Sequence, residues 1–158
     1  MSIAVLCIRP EPFYRCSAFT DGLKRLGYSI IHRQNPDPRD RPKNRDDLLV
    51  LWNKKRGYDE TMAHQWEKLG GTAIIAENGY LQQTDKTYYA LATHGHNGSG
   101  WSPVGADDRF AKLGFTIKPP RDGGEYILVR DQRGIGSTLM ASPMGWGQKM
   151  VEVLKRHA

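Results

Sequence analysis

Only two cysteines, Cys7 and Cys16, occur among the 158 residues, and they form no C-x-x-C pair. A disulfide framework is therefore not expected, and both thiols read as reduced groups in or near the core. No apolar run approaches the roughly 18 residues that a membrane-spanning helix needs, so no membrane partner is expected. The phosphate fingerprints are missing too. GxGxxG does not follow the first apolar run, and GxxxxGK[ST] occurs nowhere. The absence of HExxH and GxSxG excludes a zincin helix and a nucleophile elbow. Neither a helix-turn-helix nor a zinc module is visible, and no internal repeat is found. The opening "MSIAVLCIRP" has no basic n-region and meets Arg9 and Pro10 at once, so it reads as a first strand and not as a signal peptide. Cytoplasm is the expected compartment.

What is present is an alternation of strand and helix patterns. "IAVLCI" (Ile3 to Ile8), "YSIIH", "LLVLW" (Leu48 to Trp52) and "TAIIA" are short apolar runs of strand length, and "EYILVR" (Glu125 to Arg130) reads as a fifth strand. Between the first two, "YRCSAFTDGLKRLG" sets Phe19, Leu23 and Leu26 at helical spacing and stops at Gly27. "YDETMAHQWEKLGG" sets Met62, Trp66 and Leu69 on one face, with acids in its first turn. The closing "SPMGWGQKMVEVLKRH" offers Ser142 as a cap, Pro143 at the first helical position and Trp146, Met150 and Val153 on one face. Residues 33–47 form a Pro- and Arg-rich loop. Residues 80–124 are an irregular insertion holding a short strand "YYALA" and a short helix around Asp107 to Leu113. Repeated β-α-β order predicts one α/β domain over residues 1–158, Rossmann-like or flavodoxin-like. It would hold a mostly parallel sheet of about five strands with helices on both faces.

Lys and Arg number 23 against 17 Asp and Glu, a formal net charge of +6. Such an excess favours phosphorylated or polyanionic partners, unless the cations are simply solvated. In an open parallel sheet, ligands bind beyond the carboxyl ends of the strands, so the residues following each strand matter most. These are Arg9 with Arg15, then Asn53 and Lys54, then Glu77 and Asn78, then "RDQRGIGS". In that last segment Gly134 and Gly136 permit a nest of backbone N–H groups. Arg133 suits a phosphate, and Gln132 and Ser137 add polar contacts. The alternative is a surface turn.

"HGHNGSGW" raises a choice between metal, ligand and plain loop. His94 and His96 would need a third protein ligand for a metal, and none is indicated, so no metal is expected. Asn97, Gly98 and Ser99 suit contacts to a ligand's phosphate or hydroxyls, and a structural loop stands as the alternative. For proton transfer the candidates are Glu77, His94 and His96, against a Glu77 that only pairs with a neighbouring cation.

Taken together, "LLVLWNKK", "GGTAIIAENGYL", "HGHNGSGWSPVG" and "ILVRDQRGIGS" with "SPMGW" resemble a group of short phage and prophage proteins. Their order is similar to one Rossmann-like half of GT-B glycosyltransferases. The resemblance implies a sugar nucleotide as donor substrate, with "RGIGS" at its diphosphate, "HGHNGSG" on the sugar or acceptor side, and no firmly implied cofactor. GT-B enzymes close two domains over the substrate, so a homodimer, another partner or nucleic acid would complete the cleft here. Three functions follow as expectations. The first is glycosyl transfer to a hydroxylated base of phage DNA, with Arg39, Arg41, Lys43, Arg45, Lys55 and Arg56 on the DNA backbone. The second is non-catalytic capture of a nucleotide or nucleotide signal, and the third is charge-driven DNA binding as an accessory protein.

Overall fold

The structure, a computed structural model, describes residues 1–54, 57–79, 88–95, 100–102, 104–105, 108–120, 123–130 and 145–157. They fall into two compact units, one running to residue 102 and one made of residues 104–130 and 145–157.

The first unit holds the sheet. β1 (Ile3–Cys7), β2 (Ser29–His32), β3 (Leu48–Trp52), β4 (Thr72–Asn78) and β5 (Tyr89–Thr93) lie in the order β2-β1-β3-β4-β5. The first four are parallel, with Val5 beside Ile31 and Leu49, and Leu51 beside Ile75. Their runs of consecutive apolar residues have this cause: a parallel strand covered on both faces has no solvent side on which to place a polar residue. Helix α1 (Cys16–Arg25) covers one face, where Cys16, Phe19 and Leu23 pack on Ala4, Leu6 and Val50. Helix α2 (Tyr58–Lys68) covers the other, with Ala63 and Trp66 on Val5, Leu49, Leu51 and Ile75. The chain is thus an α/β protein with a Rossmann-like sheet.

Each helix ends as its glycine foretells. Gly27 follows α1 at φ 86° and Gly70 follows α2 at φ 92°, both in the left-handed region that a Cβ disfavours. The apolar stripes stop one turn earlier than their spacing suggests. Leu26 and Leu69 fall on the terminal turns, where the chain leaves the sheet, and both are exposed.

The crossover from β2 to β3 is made by residues 33–47, and no helix forms there. The loop is fastened instead by polar contacts. Arg33 holds Asp40 through two hydrogen bonds of 2.7 and 2.8 Å, and Arg39 holds Asp37 at 2.6 Å. At its end Asp47, 1 % exposed, accepts the Ile3 N–H (2.8 Å) and the Lys43 N–H (2.6 Å). Tyr58 of α2 donates its hydroxyl to the Pro36 carbonyl at 2.9 Å, which draws the loop over the α2 face.

The short strand expected at "YYALA" forms as Tyr89–Thr93 and is the one that completes the sheet, pairing antiparallel with β4 (Glu77 beside Ala90, Ile74 beside Thr93). The strand expected further on departs from expectation. Residues 125–130 form no strand. Tyr126 and Leu128 are 82 % and 81 % exposed in the second unit. An apolar hexapeptide becomes a strand only when a neighbour supplies the ladder, and none does so among the described residues. In that unit α3 (Asp108–Lys112) carries a Lys112–Asp108 ion pair. α4 (Trp146–Lys155) starts after Gly145 at φ 72° and half-buries Met150, Val153 and Leu154.

Candidate functional site

The strand order reverses its direction of growth at β1 and β3. From β1 the chain moves outward to β2, then crosses back to β3 and continues to β4. Because α1 and α2 leave the carboxyl ends of β1 and β3 toward opposite faces, those two ends splay and a crevice opens between them. A polar crevice of about 170 Å³ is found there, lined by Arg9, Tyr14, Gln34, Asn35, Trp52 and Asp59, with Cys7, Pro36 and Leu51 as its floor and side. The loop of residues 33–47 supplies one wall, and the first turn of α2 supplies Asp59.

One edge of the crevice is an aromatic platform. Tyr14 stacks on Trp52 with ring centroids 3.9 Å apart and planes 27° from parallel. Tyr89 meets Trp52 edge-on at 5.4 Å and 84°, and also lies against Phe19 at 5.4 Å. The Arg15 N–H donates to the Tyr89 hydroxyl at 3.0 Å. The platform is therefore tied to β3, β5 and the start of α1 at once, which fixes its orientation before any ligand arrives. Burial, followed by the Asp40 and Asp59 carboxylates, pushes the Cys7 thiol up to about 12 against the opposing Arg33 charge. The sulfur in the floor is thus an inert, protonated group.

A second and larger cleft, about 840 Å³, opens on the α1 side of the same edge. It shares Arg9 and Gln34 with the crevice and is otherwise lined by residues that include Glu11, Phe13, Cys16, Thr20 and His32. The Arg9 guanidinium lies 5.8 Å from the Phe13 ring centroid. Crevice and cleft therefore meet at one exposed cation.

The expected site residues are distributed as follows. Arg9 and Arg15 sit at the carboxyl edge and are exposed. Asn53 adopts φ 55° directly after β3, and its N–H donates to the Ala76 carbonyl at 2.8 Å. That left-handed step turns Lys54 inward. The Lys54 ammonium, on a residue only 3 % exposed, donates to the His94 carbonyl at 2.7 Å. Two expected site residues thus meet, although not at the crevice. Since β5 runs antiparallel, His94 follows the residue beside Ile74 and lies toward the amino edge of the sheet. There its Nδ1 contacts the Glu67 carboxylate of α2 at 3.0 Å. Glu77 is half-buried at the end of β4 and accepts the Asn78 N–H at 2.8 Å; Asn78 is exposed beside it.

Within the loop, Arg39 is paired with Asp37, while Arg41, Lys43 and Arg45 are exposed. Lys43 and Arg45 flank the turn that Asp47 closes, at the amino end of β3 and away from the crevice. Lys55, Arg56, His96, Asn97, Gly98, Ser99, Gln132, Arg133, Gly134, Gly136 and Ser137 lie outside the described residues. Residues 125–130, the strand expected to precede "RDQRGIGS", are not part of that sheet. Among the described residues no group of three or more His, Cys, Asp or Glu side chains is arranged to hold a metal ion. Nor is any helix among them long and apolar enough to cross a membrane.

The residues that do line the crevice were passed over in sequence, apart from Arg9. Tyr14 opens the stretch read as the first helix, Trp52 ends a strand, Gln34 and Asn35 fall in the Pro- and Arg-rich loop, and Asp59 is an ordinary first-turn acid. One signal was available: the polar pair Gln34-Asn35 follows β2 after a single residue, Arg33, at the same edge as Arg9. The geometry defines a Rossmann-like protein with a preformed polar crevice at the switch point of its sheet. Compared with protein-family models, curated proteins and solved structures, the chain matches none.

Proposed function

We propose that this chain binds a nucleotide or sugar nucleotide across the carboxyl edge of its sheet. The supporting observation is the convergence of four kinds of contact at one switch point. A rigid aromatic platform (Tyr14 and Trp52) suits a planar base, and the Gln34 and Asn35 amides suit its hydrogen-bonding edge. The Asp59 carboxylate suits a pair of ribose hydroxyls. Arg9, standing where the crevice opens into the larger cleft, suits a phosphate. The larger cleft, at about 840 Å³, then has room for the diphosphate and an attached sugar.

Sugar transfer to a hydroxylated DNA base is the reaction that the GT-B resemblance adds. Glu77 and His94 line neither the crevice nor the larger cleft, so neither is placed to act as base on an acceptor meeting a sugar held in that cleft. Capture without transfer uses the same contacts and no base. DNA binding by charge alone would rest in this loop on the exposed Arg41, Lys43 and Arg45, since Arg39 already holds Asp37.

A thermal-shift and calorimetric panel of nucleotides and sugar nucleotides tests the proposal. A ligand at a hundred times its Kd adds about 2.7 kcal/mol, which corresponds to a rise of roughly 5–10 °C for a chain of this size. The shift should fall by about half or more in Arg9→Ala, as a tenfold or greater loss of affinity requires. No shift with any nucleotide or sugar nucleotide refutes binding. If binding holds, labelled sugar appearing on hydroxymethylated DNA selects transfer, and binding with no label transferred selects capture; Asp59→Asn should weaken binding in either case.

A further inference from the structure

Cys16 and His32 form a second chemical centre, and it does not depend on nucleotide binding. Cys16 is the first residue of α1 and His32 the last of β2, so parallel pairing of β1 with β2 brings them to the same edge and the same face. Their side chains meet with Sγ 3.8 Å from Nδ1, and both line the larger cleft. Thr20, one turn further along α1, positions the ring. Its hydroxyl donates to the Cys16 carbonyl at 3.0 Å and stands 3.4 Å from His32 Nε2, where it can accept the Nε2 proton. In that tautomer a bare Nδ1 faces the thiol. A sulfur, a base aimed at it and a third group orienting the base are the components of an activated nucleophile.

The base is needed. Burial raises the Cys16 thiol above its ordinary value, the Thr20 contact lowers it and the Glu11 carboxylate raises it again, so the group is carried as the neutral thiol. A neutral thiol attacks only if its proton is removed as the bond forms. Cys7, as buried as Cys16, shows the contrast: its sulfur lies on the α2 face of the sheet, with no imidazole among its partners in the described residues.

We propose that Cys16 is a thiolation site, at which His32 acts as general base for exchange with a small-molecule disulfide admitted by the cleft. Cys16 Sγ attacks one sulfur of the disulfide and its proton passes to His32 Nδ1. The new S–S bond forms as the old one breaks. The departing thiolate recovers the proton, so a mixed disulfide and one free thiol are produced with no net oxidation.

The experiment uses the full chain and oxidised glutathione, with intact mass and peptide mapping to follow Cys16 and Cys7 separately. Cys16 should be thiolated and Cys7 should not. His32→Ala should slow Cys16 on the order of a hundredfold, the usual contribution of a positioned base, and added imidazole should restore part of that rate. Thr20→Val should slow it less and Thr20→Ser should recover it, since the serine hydroxyl can orient the ring in the same way. The proposal is overturned if Cys16 reacts no faster than Cys7. It is equally overturned if His32→Ala reacts at the wild-type rate, or if imidazole restores nothing. Nucleotide binding measured on the same variants fails or survives on its own account, so the two readings are separable.

Discussion

Replacing Asp47 by alanine removes the acceptor that closes the crossover loop against the start of the sheet. Its carboxylate takes the Ile3 N–H at 2.8 Å, the Lys43 N–H at 2.6 Å and, more weakly, the Asn44 N–H at 3.3 Å. Hydrogen bonds to an ionised group contribute about 1.5–3 kcal/mol each, but the donors are not equivalent. Lys43 and Asn44 are exposed and can turn to water; Ile3 is half-buried at the start of β1 and cannot do so as readily. Counting the Ile3 bond in full and the Lys43 bond in part gives a loss of about 3–4 kcal/mol, or roughly 6–16 °C in Tm. The sign of the pH dependence follows from the same contacts. Burial pushes the Asp47 carboxyl up, and the three backbone donors outweigh it and hold the group below its usual range. A depressed folded value means that the contribution is complete above about pH 4, where the unfolded carboxyl is also ionised, and fades as the pH falls further. Urea and thermal unfolding of wild type, Asp47→Ala and the neighbouring Asp46→Ala at neutral and acid pH measure this directly. Asp46→Ala should stay within about 0.5 kcal/mol of wild type. An Asp47→Ala protein that melts with the wild type, or whose deficit does not shrink on acidification, would refute the reasoning.

Three other outcomes are expected. Arg9→Ala should weaken a bound nucleotide diphosphate by roughly ten- to a hundredfold in calorimetry while leaving the melting curve in place, because the residue is exposed and makes one charge-assisted contact; unchanged affinity would remove Arg9 from the site. The Asp37 carboxyl, held down mainly by the Arg39 side-chain hydrogen bond, should titrate at about 2 by carbon-detected NMR. What it adds to the loop is present above the ordinary value and lost as the pH falls through about 2, and Arg39→Ala should return it toward about 3.9. Lys54→Ala should cost about 2–3 kcal/mol in urea melts, through lost burial of the stem and an unanswered His94 carbonyl; the amide of Gly95 should then exchange faster.

The sheet was legible where pattern alone decides. β1, β3 and β4 are apolar on every residue that the sheet covers, and α1 and α2 end on glycines that no other residue replaces cheaply. The pattern failed where the outcome depends on a partner. "EYILVR" and "YYALA" are equally plausible strands in isolation, and only the ladder offered by β4 selects the second. The direction of that strand is invisible in sequence too, yet it decides which edge receives His94. The crevice was half legible. Its place followed from the rule for open parallel sheets, and Arg9 was expected there. Its wall was hidden because Gln34, Asn35 and Asp59 gain their meaning from a crossover loop folded over α2. Lys54 shows a further limit, since the backbone conformation of Asn53 sends a cation from an expected surface into the interior.

The connection between β2 and β3 has a consequence for how such a protein changes over time. A helix there would lock its length to whole turns, because each inserted residue would rotate everything after it. The existing segment is anchored at two ends by side chains and carries no repeat of its own. Doubling a flexible connection costs only about 0.6 kcal/mol. The rim bearing Gln34 and Asn35 is thus the region where residues can be gained or lost without disturbing the ladder, and selectivity for a new guest has its easiest route there.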